Sequence, residues 1–350
     1  MVEGNQGAPN RMDLAVERGE FAAPAVLRPY QLLCVVCCSG EEPAGGQSEK
    51  LRRVREAVRD DPDTPITLVC NVGDVYLYQD PGTAEDSPEG ADYNRKRDLD
   101  ILHLLALAPG STLPARALFL TLLKRVASVR GICGYDTVTG AGWEGCPRAA
   151  SGAYEKAHER GIDALIPPRT QEEMAREKRE SLAALYATEV VPVRPHILMC
   201  AVCQYGGGTR PPYKEDNLPE LLELILNGKP DLLIRMARGA DWMMCAPCPK
   251  RVPKLNACVH ILGSCGLSNE KRDLDMLQKL GIQFGSTMKA RDLFRLILER
   301  IPTTQEVCRR DEACVCPSVW WDTCGESNRA QGSPNYEKGR AELLAKLGLP

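Results

Sequence analysis

The sequence is poor in aromatic residues and histidine, and it has no long apolar segment. Only 5% of the 350 residues are Phe, Tyr or Trp, and four are His, so a large metal site would have to be built mainly from thiolates. No apolar run approaches the roughly 18 residues of a membrane span, which predicts that the chain has no membrane-embedded helix. The 44 Lys and Arg residues nearly balance the 47 Asp and Glu residues, so charge gives no reason to expect a nucleic-acid partner.

Several enzyme motifs are missing as well. The chain contains no G-x-S-x-G or H-E-x-x-H motif, and its Gly206-Gly207-Gly208 stretch lacks the Lys-Ser/Thr of a phosphate-binding loop. The sequence therefore indicates no particular reaction. Residues 1–20 are acidic and contain no apolar stretch, which argues against an export signal, and we expect a cytoplasmic protein.

Cysteine, by contrast, is abundant, with 16 residues in the chain. In a reducing compartment such a number favours metal or redox chemistry over a disulfide scaffold. The cysteines are therefore the first candidates for a functional site.

The chain also resembles itself. Residues 94–126 and 269–301 align without a gap, and 17 of their 33 positions are identical. Upstream, residues 28–34 parallel residues 194–200. The cysteines that correspond in the two halves are Cys34 with Cys200, Cys37 with Cys203, Cys133 with Cys308, and Cys146 with Cys324. This self-similarity predicts two tandem copies of one domain.

The composition of the chain and its Pro- and Gly-rich breaks predict the domain limits. We expect a mobile segment over 1–25, a first copy over 26–166, a linker helix within 167–190, and a second copy over 191–350. Each copy is expected to be a small α/β domain, a βαβ unit covered by further helices. In the second copy the pattern predicts strands at 196–202 and 231–236 and helices at 218–226, 269–280 and 287–301; in the first, strands at 32–36 and 66–70 and a helix at 49–59.

The clearest candidate site is the motif Cys245-Ala246-Pro247-Cys248-Pro249. Two residues between thiolates allow both to bind one metal or cluster, and proline often follows a cluster ligand. Cys200, expected at the end of the first strand, and Cys265, just before the 269–280 helix, should lie at the same edge of the sheet. The four thiolates would suit a cubane cluster or a tetrahedral zinc ion.

Together these features resemble a family of small bacterial and archaeal proteins of unknown function that are thought to bind iron–sulfur. The motifs that carry the resemblance are Arg194-Pro195-His196, Cys200, the three glycines, Asp241 followed by the C-x-x-C-P motif, Cys265, and Lys271-Arg272-Asp273-Leu274-Asp275. The resemblance covers residues 194–301 and, in part, 28–126. Together with the proline after Cys248, it favours an iron–sulfur cluster, and four thiolates would suit the 4Fe–4S type; zinc is the alternative.

Other ligand sets stay open at this point. Cys200, Cys203, Cys245 and Cys248 could form two C-x-x-C pairs around zinc, and Cys258 could replace Cys265 in either set. A second group could hold another cluster or a zinc ion, or serve structure alone; it consists of Cys308, Cys314, Cys316 and Cys324.

The first copy departs from the C-x-x-C-P pattern. Tyr78, Pro81 and Gly90 stand where Cys245, Cys248 and Cys265 stand in the second copy, which predicts that this site has been lost. A weaker alternative site there would use Cys34, Cys37 and Cys70.

The resulting hypothesis is an iron–sulfur protein that transfers electrons or senses redox state, with its cluster in the second copy and a redox protein as its partner. The alternative is a zinc-stabilised structural or interaction protein without redox activity.

Overall fold

The computed structural model describes residues 24–40, 49–72, 78–252, 257–258, 267–308 and 332–347. The chain forms two compact units, Met1–Pro168 and Arg169–Pro350. Each contains helices around a small sheet, so the predicted α/β class is confirmed. The segment predicted as a linker, 167–190, contributes a helix to the second unit, and Thr170 caps it by accepting a hydrogen bond from the Glu173 amide at 3.1 Å.

The first unit has a three-stranded sheet in the order β1-β2-β3. Strand β1 pairs in parallel with β2, and β2 pairs in antiparallel with β3. The elements, in chain order, are β1 (Ala25–Leu27), α1 (Pro29–Gly40), α2 (Glu49–Asp60), β2 (Pro65–Leu68), α3 (Ala91–Leu105), β3 (Thr112–Pro114), α4 (Ala115–Arg125) and α5 (Ala153–Glu159), with short 3₁₀ turns at Ala141–Trp143 and Gly161–Ala164.

The second unit contains a sheet of the same kind, in the order β4-β5-β8, with β4 parallel and β8 antiparallel to β5. Its elements are α6 (Gln171–Ala187), β4 (Val190–Val193), α7 (Pro195–Gly206), α8 (Leu218–Asn227), β5 (Leu233–Met236), α9 (Trp242–Cys245), β6 (Arg251–Val252), β7 (Ala257–Cys258), α10 (Leu267–Leu280), β8 (Thr287–Lys289), α11 (Ala290–Arg300), α12 (Gln305–Cys308) and α13 (Pro334–Lys346). Strands β6 and β7 form a separate antiparallel hairpin.

The predicted strands at 196–202 and 32–36 are wrong, because both segments are helical. In the second unit the strand lies earlier, over Val190–Val193, and Pro195 begins α7, where the missing N–H of proline costs no hydrogen bond. Nearly every residue of α7 is buried, including His196. A helix buried on all sides has the continuous apolar sequence of a buried strand, so the pattern does not separate the two.

The predicted helix at 287–301 is wrong in its first turn, where Thr287–Lys289 forms β8 before α11 starts at Ala290. The helices predicted at 49–59, 218–226 and 269–280 are confirmed, as are the strands at 66–70 and 231–236 within two residues at each end.

In each unit a buried ion pair connects the cysteine-bearing helix, α1 or α7, to a second helix. Arg28 Nε donates to Asp98 Oδ2 at 2.8 Å, and Arg194 Nη2 donates to Asp273 Oδ2 at 2.6 Å. The same aspartates accept backbone hydrogen bonds at the starts of α1 and α7, from Tyr30 at 2.9 Å and His196 at 3.0 Å. These contacts fix the N-terminal ends of α1 and α7 against α3 and α10.

The C-terminal ends of the cysteine-bearing helices are fixed by glycine. A Cβ on Gly40 would lie 1.9 Å from the carbonyl oxygen of Ala153 in α5, and one on Gly206 would lie 1.9 Å from that of Asn335 in α13. Only a residue without a side chain allows so close a crossing. Each glycine follows the cysteine pair of its helix at the same spacing, C-x-x-C-x-x-G.

Candidate functional site

The C-x-x-C-P motif forms a tight turn between α9 and the β6–β7 hairpin. Asp241 caps α9 by accepting a hydrogen bond from the Met243 amide at 2.7 Å, and α9 ends at Cys245. The Cys248 amide then donates to the Cys245 carbonyl at 3.0 Å, and the Lys250 amide donates to Cys248 Sγ at 3.4 Å. A backbone N–H directed at a cysteine sulfur stabilises its thiolate form.

The hairpin adds a third cysteine to this turn. Cys258 in β7 pairs with Arg251 in β6, which follows Cys248 by three residues. Cys245, Cys248 and Cys258 are all half-buried. Burial, reinforced by the charges of the Cys248 and Cys258 thiolates, raises the pKa of Cys245 well above its ordinary value. Burial and the Cys258 thiolate raise the pKa of Cys248 to about 12. The three thiols therefore share one neighbourhood.

A buried cation lies beside these thiols. The Arg194 guanidinium opposes the rise in the pKa of Cys245, and both Cys245 and Cys258 in turn favour the charged form of Arg194. Arg194 follows directly after β4. Arg194 thus occupies the strand end that had been predicted for Cys200.

Cys200 lies instead on the second turn of α7, three residues before Cys203. The prediction that places it at a strand end is wrong, since β4 ends at Val193. Cys203 and Cys308, the last residue of α12, are both buried. The charges of both thiolates contribute to raising the pKa of Tyr336. Four of the predicted candidates lie outside the described residues, namely Cys265, Cys314, Cys316 and Cys324.

In the first unit, Tyr78 stands at the position of Cys245, is largely exposed, and supplies no thiol. Cys70 is fully buried, and the charges that act on it belong to Asp98, Arg28 and Asp80 rather than to another cysteine. The alternative set of Cys34, Cys37 and Cys70 therefore gains no support.

Sequence reasoning missed a different set in that unit. Cys34 and Cys37 interact electrostatically with Cys133 and Cys146, which are distant in sequence. The signal that would have identified these four is the internal alignment: they are the four cysteines of the first half that align with cysteines of the second half.

No disulfide links the twelve cysteines of the described residues. In the same part of the chain, no group of three or more His, Cys, Asp or Glu side chains is arranged as ligands of a metal ion. The described helices likewise include none with both the length and the apolar character that a membrane span requires.

Comparisons of the whole chain with protein-family models, with curated proteins and with solved structures found no match.

Proposed function

We propose that the chain is a tandem duplication of one α/β domain whose second copy binds an iron–sulfur cluster for electron transfer or redox sensing. The duplication is supported by the 17 identities between residues 94–126 and 269–301 and by the equal strand order of the two sheets. Strand registers also correspond, since Ile66 faces Leu113 where Ile234 faces Met288.

The observation that carries the cluster proposal is the gathering of Cys245, Cys248 and Cys258 around a turn whose backbone donates to a sulfur. Cys265 is the predicted fourth ligand and lies outside the described residues. Without a metal, thiols with such high pKa values are protonated, and a bound cluster would replace those protons. Arg194 would offset part of the negative charge that the thiolates acquire.

Zinc is the second candidate, because the same turn and hairpin also suit a structural zinc ion. The two occupants differ in size. Sulfurs that share one zinc ion lie roughly 4 Å apart, whereas a cubane holds its thiolates at roughly 6–7 Å. The proline that follows Cys248 and the family resemblance favour a cluster over zinc.

The position of the thiols supports a role in electron exchange. All three are half-buried, so a cluster bound there would lie near the protein surface, within reach of a redox partner protein. A cluster at the surface would also be open to oxidants, as a redox sensor requires.

The test is to purify the full chain without oxygen and to measure iron, acid-labile sulfide and zinc, together with the visible absorption spectrum. We expect a brown protein that loses about four irons when Cys245 and Cys248 are both changed to Ser. Cys70→Ser is the matched control, because Cys70 is a buried cysteine whose pKa is not shifted by another cysteine of the described residues. A colourless chain with one zinc that these substitutions remove would establish the second candidate instead.

A further inference from the structure

An open groove lies beside the first strand of the first unit. Its volume is about 550 Å³, and the residues that line it include Ala25 and Val26 of β1 and Lys50, Arg53, Val54 and Ala57 of α2. Strand β1 is at the edge of its sheet, and Val26 is 49% exposed. The groove thus combines apolar side chains with the two cations of α2.

Helix α2 corresponds to α8 of the second unit. Each follows the cysteine-bearing helix of its unit and precedes the central strand of the sheet. Their buried apolar residues have the same spacing: Leu51, Val54 and Val58 in α2, and Leu218, Leu221 and Ile225 in α8. This correspondence gives three residues that line the groove a counterpart at the start of α8: Glu49 stands at Asp216, Lys50 at Asn217, and Arg53 at Glu220.

In the second unit, helix α6 covers these positions. Lys178 of α6 donates to Glu220 Oε1 at 2.7 Å and to the Asp216 carbonyl at 2.6 Å. Asn217 Nδ2 donates to Ser181 Oγ of α6 at 2.7 Å. The groove of the first unit therefore lies where the second unit has a helix.

Side-chain exposure differs accordingly between the two units. The Glu220 side chain is 2% exposed beneath α6, whereas the Arg53 side chain is 74% exposed. Asn217 is fully buried, whereas the Lys50 side chain is 36% exposed. Helix α6 directly precedes β4, so its counterpart would directly precede β1, and the described residues begin at Pro24.

The sequence before β1 has the length and the pattern of such a helix. Ala25 faces Ile66 as Val191 faces Ile234, and this alignment places residues 5–21 opposite α6. Three positions on the inner face of α6 then carry apolar residues: Met12, Ala15 and Val16 stand where α6 has Lys178, Ser181 and Leu182. Their i, i+3, i+4 spacing places them on one face of a helix.

The charges of the two elements are complementary. In the second unit α6 supplies the cation and α8 the anion of the buried pair between them. In the first unit the signs are reversed, because α2 carries Arg53 and the segment carries Asp13 and Glu17, four residues apart beside its apolar row. Arg53 pairs with Glu49 at 2.7 Å, and exposed pairs of this kind are weak. A carboxylate of the segment can therefore bind the same guanidinium.

We propose that residues 10–21 bind as an amphipathic helix in the groove between β1 and α2 of their own chain. Docking would bury Val26 and Arg53 and would complete the first unit as α6 completes the second. Because the segment is attached directly before β1, its effective concentration at its own groove is high, which favours it over a segment of another chain. The proposal does not depend on what the cysteines of either unit bind.

Amide hydrogen exchange of the full chain, read by mass spectrometry in peptides covering residues 10–21, tests this placement. We expect exchange there at least about tenfold slower than in a synthetic peptide of the same sequence. Arg53→Glu should abolish the protection, whereas Arg52→Glu, on the same helix but outside the groove lining, should retain it. Asp13→Arg with Glu17→Arg should also abolish it, and combining these with Arg53→Glu should restore it in part.

Exchange over 10–21 as fast as in the free peptide would overturn the proposal, and so would protection that Arg53→Glu leaves intact. Protection that disappears on dilution, together with a dimer in analytical ultracentrifugation, would assign the groove to a second copy instead. Circular dichroism checks that each variant is folded. If Arg53→Glu does not fold, Met12→Asp tests the same contact from the segment, with Leu14→Asp, off the apolar row, as its control; equal protection in these two variants would refute the docking.

Discussion

Removal of the Asp273 carboxylate should destabilise the second unit strongly. Asp273 is fully buried and accepts four hydrogen bonds, two from Arg194 at 2.6 and 3.0 Å and two from His196 at 2.7 and 3.0 Å. The Arg194 side chain is only 5% exposed, so Asp273→Ala would leave a buried guanidinium without its carboxylate. Breaking a buried ion pair in this way costs about 3–5 kcal/mol.

The same helix provides a matched control. Asp275 accepts from Lys271 at 2.6 Å, but the lysine side chain is 73% exposed and the pair follows i,i+4 spacing on the helix surface. Such pairs contribute about 0.3–0.5 kcal/mol. Asp273→Ala and Asp275→Ala remove the same charge two residues apart, so the difference between them isolates burial.

Urea unfolding followed by circular dichroism measures both variants. With a slope of about 2 kcal/mol per molar urea, Asp273→Ala should lower the midpoint of the second unit by about 2 M, and Asp275→Ala by about 0.2 M. Asp98→Ala and Asp100→Ala in the first unit should give a contrast of the same sign but smaller, because Arg28 keeps a second carboxylate partner in Asp86 while Asp100 pairs with Lys96 at the surface. Equal shifts for the buried and the surface aspartate would refute the reasoning.

Three further predictions concern pH, helix crossing and the loop of the first unit. Burial lowers the pKa of His196 to about 4 in the folded protein, against about 6.5 when unfolded, so its contribution to stability is complete above pH 6.5 and is lost as the pH falls towards 4. His196→Gln should therefore reduce the free energy of unfolding that is lost between pH 7 and 4 by up to about 3 kcal/mol, measured by urea unfolding at several pH values. The same loss of stability between pH 7 and 4 in both proteins would contradict this. Gly40→Ala should prevent stable folding or cost several kcal/mol, measured as thermal unfolding, whereas Gly140→Ala, with open space around its Cβ position and extended backbone, should stay within about 0.5 kcal/mol. Tyr93→Phe removes the hydroxyl that joins Cys133 and Cys146, and should cost about 1–2 kcal/mol in urea unfolding, while Tyr78→Phe, at an exposed position, should leave the stability unchanged.

The amphipathic elements of the fold were predictable from the sequence, and the fully buried ones were not. Helices α2 and α8 carry apolar residues at helical spacing between clear start and stop signals, and their predicted limits are within one residue of those observed. Helix α7 has almost no polar face, and α8, α10 and α13 pack against it. Its sequence therefore carries no helical period, and only Pro195 marked its start.

The candidate site was predicted in part for the same reason. The proximity of Cys245 to Cys248 depends only on their spacing in the chain, which can be read directly from the sequence. The position of Cys200 depended on where β4 ends. The strand lies a few residues earlier in the chain than predicted, so Cys200 is on a helix and Arg194 is at the strand end. Cys258 joined the site through the β6–β7 hairpin, whose strands of two residues each are too short to give a pattern.

The cysteines common to both units lie where the fold is most constrained. In each unit the cysteine-bearing helix is held at its start by a buried Arg–Asp pair and at its end by a glycine crossing, and a buried tyrosine lies beside its second cysteine. These contacts fix the thiols on a rigid element, whereas Cys245, Cys248 and Cys258 lie on a turn and hairpin.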